Sequence, residues 1–410
     1  MLSREKTKTD DQRQDVNDYP VKEQYVLSRL LPEYVSLYRI ELNSGKYEIL
    51  RLDANTNARQ LAEKDPHPAE NFDEYARRYA DNFILDEEKE EFIDCLYDLF
   101  HKEEKEDYDS FLDMLYGKFG KSIVEKFLKP YNEKLYAVDL KTLDKDAMGR
   151  FFPYADIPAI IDNMKANKDS TSYNNSFLYP RNGAGSFIQI LYDALDSSKI
   201  LMEHEVVKID NEHKVAQLDD GSKINYEYLI NTSPLNHFLG YFEGEKFSAL
   251  KNRLSYNKVL VFNLGFNKKS KFTEEHWMYI PDKAVNFYRI GFYDNILDAD
   301  KLSMYIEIGY GKEDEITEQD VEMQLKLTLE NLHKLGIIDD DTKLEEHSTI
   351  IMDPAYVHIN TETEKMVQQF KAEEEKNGIY TIGRYGAWTY CSMEDCMIAA
   401  RDLAMSLCQG

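Results

Sequence analysis

The stretch NGIYTIGRYGAWTYCSMEDCMIAA, Asn377–Ala400, decides how the rest of the chain is read. A short apolar run, Ile379–Ile382, ends in Gly383-Arg384-Tyr385-Gly386. Trp388, Tyr390, Met393, two acids and a tail of helical composition follow. Gly383 and Gly386 allow a ligand close to the backbone, and Arg384 offers charge to a pyrophosphate. A helix opening at Met393 would point its first N–H groups at such a ligand. Glu394 and Asp395 suit that first turn as ordinary partners of the helix dipole. The loop reads as one half of a holder, so the other half has to be sought elsewhere in the chain.

The bulk composition narrows what could be held. The 410 residues suffice for two or three substructures with a substantial core, and 42% of them are apolar. A net charge of −26 argues against nucleic acid, which needs a basic face. An anionic ligand would have to be met by a few locally placed Arg or Lys residues. The four cysteines, Cys95, Cys391, Cys396 and Cys408, form neither a CxxC nor a disulfide framework. Cys391 and Cys396 lack a nearby second pair, and the nine His residues show no metal spacing, so no metal is expected. No apolar run reaches transmembrane length, and MLSREKTKTDDQRQD has no apolar signal core. The expectation is a reduced, soluble, cytoplasmic protein without a membrane span.

Periodicity divides the chain. Two strand-like runs, YVSLYRIEL and YEILRL, flank Asn43-Ser44-Gly45. Helical spacing follows in Phe92/Ile93/Leu96/Leu99/Phe100, in Phe111/Leu112/Leu115/Phe119, and in Ile123/Val124/Phe127/Leu128, the last face ended by Pro130. After about residue 170, SFLYPRNGAGSFIQILYDAL reads as an extended piece, a Gly turn and a helix with Phe187, Ile190, Leu191, Ala194 and Leu195 inward. KILMEHEVVKID, KVAQL and YEYLINT read as a β-meander, and KVLVFNLGF and LSMYIEIGY as further strands. Thr317-x-x-Asp320 is a capping box for a helix that Gly336 stops.

Two further motifs carry chemistry. NGAGSF, Asn182–Phe187, is the nearest approach to a dinucleotide fingerprint, with Glu205 twenty residues on, but Ile188 stands where a third Gly belongs. Gly45 is the only glycine before Gly117, which excludes a Gly-rich phosphate turn of the usual kind there. HWMYIPD and NFYRIGFYDN combine aromatics with a single Arg289. A lone Arg among strand aromatics suits an anionic group by bidentate pairing, or else a structural ion pair.

Taken in order, FGKSIVEKFLKPYNEKLYAVDLKTL, SFLYPRNGAGSFIQIL, YLINTSPL, the HWMYIPD and NFYRIGFYDN pair and IYTIGRYGAWTYCSMEDCMIAA resemble a known family over about residues 85–405. It is the UDP-galactopyranose mutase-like branch of the FAD-dependent amine oxidase and protoporphyrinogen oxidase superfamily. The resemblance implies that Gly383 and Arg384 contact FAD, with Met393 beneath the flavin, Val207 near the adenine, and Ser233 and Pro234 toward the cofactor. It implies that Arg289 faces a nucleotide-sugar diphosphate with Tyr288 and Trp388 nearby, and that Tyr390 and Arg289 act in catalysis. Where bacterial mutases carry an Arg before that tyrosine and an Asp two after it, this chain has Thr389 and Ser392. The strand, Gly-x-Gly-x-x-Gly turn and helix that open the family are not found, and the chain reads as starting just after them.

The expectation is therefore a mixed α/β (α+β) fold. It comprises an FAD/NAD(P)-binding-like domain with an incomplete Rossmann core, a helical segment and an antiparallel-sheet substrate domain. Residues 1–60 are unassigned and 61–174 mainly helical. Residues 175–265 with 373–410 are FAD-binding-like, and 266–372 form the substrate sheet. The implied function is an FAD-dependent oxidoreductase or mutase acting on a nucleotide-sugar in polysaccharide biosynthesis, with a homodimer compatible. The alternative is an N-terminally truncated, flavin-free relative serving as a binding or partner module.

Overall fold

The computed structural model describes residues 23–31, 34–41, 46–52, 86–148, 177–244, 246–273 and 275–409. Three antiparallel strands come first: β1 (Glu23–Leu31), β2 (Tyr34–Glu41) and β3 (Lys46–Leu52). β2 and β3 are the pair expected around Asn43-Ser44-Gly45, with Leu37 opposite Leu50 and Glu41 opposite Lys46. The turn itself lies outside the described residues, as do residues 1–22.

A helical unit follows, with α1 (Asp86–Phe100), α2 (Phe111–Phe119) and α3 (Lys129–Tyr136). Ser110 caps α2 by accepting from Asp113 N at 3.2 Å, and Phe111, Leu112, Leu115 and Phe119 are buried as their spacing predicts. Pro130 does not end its helix. A π turn over Val124–Leu128 widens the backbone and Lys129 N bonds back to Val124 O. Pro130 therefore falls in the first turn of α3, where its missing N–H leaves nothing unpaired.

The next unit holds α4 (Gly185–Asp193), β4 (Val206–Asp210), β5 (Val215–Leu218), β6 (Lys223–Asn225), β7 (Leu229–Asn231), α5 (Leu235–Phe238) and α6 (Ser248–Arg253). Two expectations change here. The apolar side chains of α4 are exposed rather than inward, Ile190 at 68% and Leu191 at 47%, as is Leu195 just beyond it; spacing identifies an apolar face but not what covers it. No strand precedes the turn at Gly183 among the described residues, so NGAGSF is not a strand–turn–helix fingerprint. In addition, only β4, β5 and β6 form the meander, while β7 leaves it for a parallel partner.

The largest sheet contains β8 (Asn257–Phe266), β9 (Trp277–Tyr279), β10 (Arg289–Phe292), β11 (Ser303–Gly311) and β12 (Leu344–Met352) in the antiparallel order β12-β8-β11-β10-β9. This sheet begins at Asn257, because β8 pairs with both β11 and β12 along its length. A short helix, α7 (Tyr293–Leu297), links β10 toward β11. Between β11 and β12, α8 (Glu318–Lys334) carries the expected Thr317/Asp320 capping box, and Gly336 follows it with φ +63°. One sheet face is packed: Leu260, Phe262, Leu264, Met304, Ile306 and Ile308 bury against α8 through Leu325, Leu329 and Leu332.

The other face meets the helical unit. A Cβ on Gly309 would lie 2.1 Å from Lys134 O, so glycine is what lets α3 come down onto β11. Asn257 Nδ2 also donates to Leu135 O. The chain closes with α9 (Thr361–Glu374), β13 (Ile379–Thr381), α10 (Gly383–Gly386) and α11 (Met393–Gln409). β13 pairs in parallel with β7. No helix among the described residues is long and apolar enough to cross a membrane.

Candidate functional site

Strand alternation builds the first part of the site. Met304, Ile306 and Ile308 enter the core, so Tyr305 and Glu307 point to the face shared with α3. Antiparallel register sets Arg289 opposite Glu307, and Arg289 Nη2 donates to Glu307 Oε1. Tyr288 OH donates to Glu307 Oε2 at 2.6 Å. One carboxylate thus serves a guanidinium and a fully buried phenol. Arg289 also lies over the Tyr305 ring, 5.7 Å from its centroid. Its Nε is buried without a partner among the described residues.

The cluster continues through α3 and β9. Tyr131 meets Tyr279 edge-on at 4.9 Å and Tyr288 at 6.0 Å. Tyr356, after β12, lies 6.0 Å from Tyr390 with the rings at 26°. Arg384 covers both, at 5.5 Å from Tyr356 and 4.5 Å from Tyr390. These separations suit cation–π attraction. Arg384 makes no ion pair with a carboxylate among the described residues. Tyr131, Tyr279, Arg289, Tyr305, Tyr356, Arg384 and Tyr390 are all half-buried, so each keeps an edge open.

Electrostatics follow from this enclosure. Burial pushes the Tyr305 and Tyr356 phenols up to about 12, against the pull of the neighbouring arginines. Both stay protonated near neutral pH and can donate. Burial opposes the charge on Arg289, but Tyr356, once ionised, and Glu307 outweigh it and raise its pKa.

The second part of the site lies at the carboxyl ends of β7 and β13. Ile382 N donates to Asn231 O at 3.0 Å, carrying the pairing one residue beyond the strands. A Cβ on Gly386 would lie 2.7 Å from Asn231 O, so this glycine permits the two segments to touch. The pairing brings Ser233 and Pro234 alongside Gly383 and Arg384. Asn231 Oδ1 accepts from Ser233 N at 3.1 Å and from Ser233 Oγ at 2.6 Å, fixing the turn into α5, where Pro234 is the cap residue. Gly383 has φ +79°, and a Cβ there would come no nearer than 4.0 Å to Cys396 Sγ. Crevices outside the carboxyl ends of parallel strands are the usual ligand sites of open α/β sheets.

The remaining predicted residues are placed as follows. Met393 opens α11 with its side chain exposed. Val207 is on β4, in the separate three-stranded sheet, and is also exposed. Trp388 is 5% exposed, packs edge-on to Tyr256 at 5.9 Å within the core of the β4–β7 unit, and leaves Nε1 without a partner among the described residues. The sequence reading missed Tyr131, Tyr279, Tyr305, Glu307 and Tyr356. A usable signal was present for two of them: in MYIEIGY, Tyr305 and Glu307 share a strand face opposite three aliphatic residues.

The sequence matches the family described as flavin containing amine oxidoreductase over residues 16–408. Among solved structures, the fold is similar to reduced UDP-galactopyranose mutase, with a TM-score of 0.66 at 21% identity, covering 74% of this chain and 69% of that one. It is also similar to a structure assigned as a protoporphyrinogen oxidase of Exiguobacterium sp. 255-15, with a TM-score of 0.58 at 17% identity, covering 80% and 73%. An oxidoreductase from Methanosarcina mazei matches with a TM-score of 0.51 at 11% identity, covering 94% and 81%. At these identities the structural likeness speaks for the fold, while the family match spans nearly the whole sequence. The chain belongs to the flavin-containing amine oxidoreductase family, whose cofactor is FAD.

Proposed function

We propose that the protein holds FAD at the carboxyl ends of β7 and β13 and takes a nucleotide-sugar at the tyrosine–arginine cluster, as a mutase or oxidoreductase. The observation that carries this reading is Arg384 over the Tyr356 and Tyr390 rings, with Arg289 over Tyr305 and near enough to act electrostatically on the Tyr356 phenol. Two guanidinium groups amid stackable rings suit a ligand that joins a diphosphate to a flat base and a sugar.

The residues at the strand ends fit a dinucleotide. Thr381 Oγ1 at the end of β13 and Trp388 Nε1 are buried without partners among the described residues, and a Cβ on Gly383 would meet nothing nearer than Cys396 Sγ at 4.0 Å. Gly383, Arg384, Ser233, Pro234 and Met393 would hold the flavin half, with Val207 toward the adenine. When bound, the cofactor supplies a nucleophilic ring nitrogen or a hydride acceptor. The protein supplies placement. Arg289 and Arg384 bind the diphosphate, while Tyr131, Tyr279 and Tyr305 stack and displace water. Tyr390 and Tyr356 donate hydrogen bonds to ligand oxygens. The reading places the reaction in cytoplasmic polysaccharide biosynthesis, with a homodimer to be checked by light scattering.

The test is visible flavin absorbance of the protein after incubation with FAD, followed by calorimetric titration with UDP and a UDP-hexose. Retained flavin and binding of both nucleotides support the proposal. Colourless protein that still binds UDP would favour the flavin-free binding module. That second reading draws on α4, which has no strand before its glycine turn to build a phosphate cradle among the described residues.

A further inference from the structure

Cys391 and Cys396 lie beside the site and have no part in the reading above. Their Sγ atoms are 3.7 Å apart, and both side chains are half-buried rather than sealed. They straddle the cap of α11. Ser392 Oγ accepts from Asp395 N at 3.2 Å, while Ser392 N donates to Asp395 Oδ2 at 2.8 Å. Cys396 is the first residue whose N–H closes a helical turn, donating to Ser392 O at 3.2 Å. We propose that Cys391 and Cys396 are a modification site that forms a reversible disulfide, tying the loop that carries Tyr390 to the first turn of α11.

The geometry selects this pair. A disulfide needs its sulfurs about 2.05 Å apart, so they must approach by roughly 1.7 Å. Cys396 is held by helical hydrogen bonding to Ser392 O, whereas Cys391 precedes the cap and lies outside helix and strand. The adjustment therefore falls on Cys391 and on Tyr390 next to it. Cys408 sits twelve residues further along the same helix, about 18 Å away at 1.5 Å per residue, and is out of reach of Cys396. Gly383 is the neighbour on the other side, so the bond would lie against the Gly383-Arg384 turn.

The chemistry balances with a peroxide as oxidant. Burial, then the contact with Cys396, pushes the Cys391 thiol up to about 11, so Cys391 is the resolving partner. The Cys396 sulfur, having given up its proton, attacks hydrogen peroxide, forming a sulfenic acid and releasing hydroxide, which takes up that proton as water. The Cys391 sulfur then displaces the sulfenic oxygen, and its proton leaves with that oxygen as water. Two thiols and one peroxide give one disulfide and two waters, and a dithiol reductant reverses the step.

The inference does not depend on flavin or nucleotide-sugar binding. The experiment treats the full-length protein with stoichiometric hydrogen peroxide, blocks free thiols with iodoacetamide and maps peptides by mass. The expected result is a segment spanning Cys391 and Cys396 that has lost two hydrogens and escapes alkylation, while Cys95 and Cys408 are alkylated. Dithiothreitol should restore alkylation at both sites. In Cys391→Ser protein, Cys396 should remain alkylatable or carry one oxygen. Alkylation of both cysteines after peroxide, or a bond from either to Cys408 or to a second chain, would overturn the proposal.

Discussion

Glu307→Gln separates the two jobs of the buried carboxylate. Glu307 accepts from Arg289 through one oxygen and from Tyr288 through the other, with side-chain exposures of 11% for Glu307 and 27% for Arg289. A surface pair of this type contributes about 0–1 kcal/mol, whereas stranding one partner of a buried pair costs about 3–5 kcal/mol. Partial exposure places this pair between those limits, at about 2–3 kcal/mol. Glutamine keeps the shape and an acceptor for Tyr288, so the loss isolates the charge. A cycle of Glu307→Gln, Arg289→Met and the double variant, followed by urea unfolding, should give a coupling near 2 kcal/mol. Ligand binding should move the other way. With the carboxylate gone, Arg289 is free for a diphosphate, and UDP affinity should rise by about 1 kcal/mol, roughly fivefold. Single variants that each cost under about 0.5 kcal/mol and add would refute the energetic argument. A fall in UDP affinity in Glu307→Gln as large as in Arg289→Met would refute the claim that Glu307 competes with the ligand.

Other outcomes test different parts of the molecule. Arg384→Ala should weaken UDP binding by about 1.5–3 kcal/mol, the scale of a lost charged hydrogen bond. Arg384→Lys should recover only part of this by calorimetry, since a planar guanidinium stacks on Tyr356 and Tyr390 and an ammonium does not. His358 is 4% exposed, and burial holds its imidazole down to about 4, against the pull of its hydrogen bond to Tyr136 O. The unfolded chain takes that proton near 6.5, so stability should be lost as pH falls from about 6.5 toward 4, by about 3 kcal/mol from this residue. His358→Gln should flatten that limb of a melting-temperature profile relative to the parent. Gly386→Ala should destabilise by about 1–3 kcal/mol in urea unfolding, because its Cβ would press on Asn231 O and part β7 from β13.

Legibility in the sequence followed the range of the interaction. Local rules worked for α2, whose apolar spacing and Ser110 cap lie within one window, and for the Thr317/Asp320 box of α8. They failed where a distant partner decides. YEYLINT looks like a meander strand until β13 takes it in parallel, and a helical apolar stripe cannot tell whether α4 is covered. Pro130 misled because a π turn upstream absorbs it. At the site, Arg289 stood out as a lone charge among aromatics. Its neutralising partner did not, since Glu307 is one of many acids in the composition and only the β10–β11 register joins them. Tyr356 carries no local signal at all: it is one tyrosine among 29 until the fold sets it under Arg384.

The parallel pairing of β7 with β13 has a consequence for synthesis. Leu229 meets Ile379 across about 150 residues of intervening chain, much of it the five-stranded sheet. A nascent chain adds about 5–20 residues each second, so Ile379 is made about 8–30 s after Leu229, the residue it pairs with. Throughout that interval β7 keeps an unpaired edge, the kind of surface that recruits foreign strands. The growing chain therefore passes through a stage in which β7 has been made and β13, with Arg384 beyond it, has not.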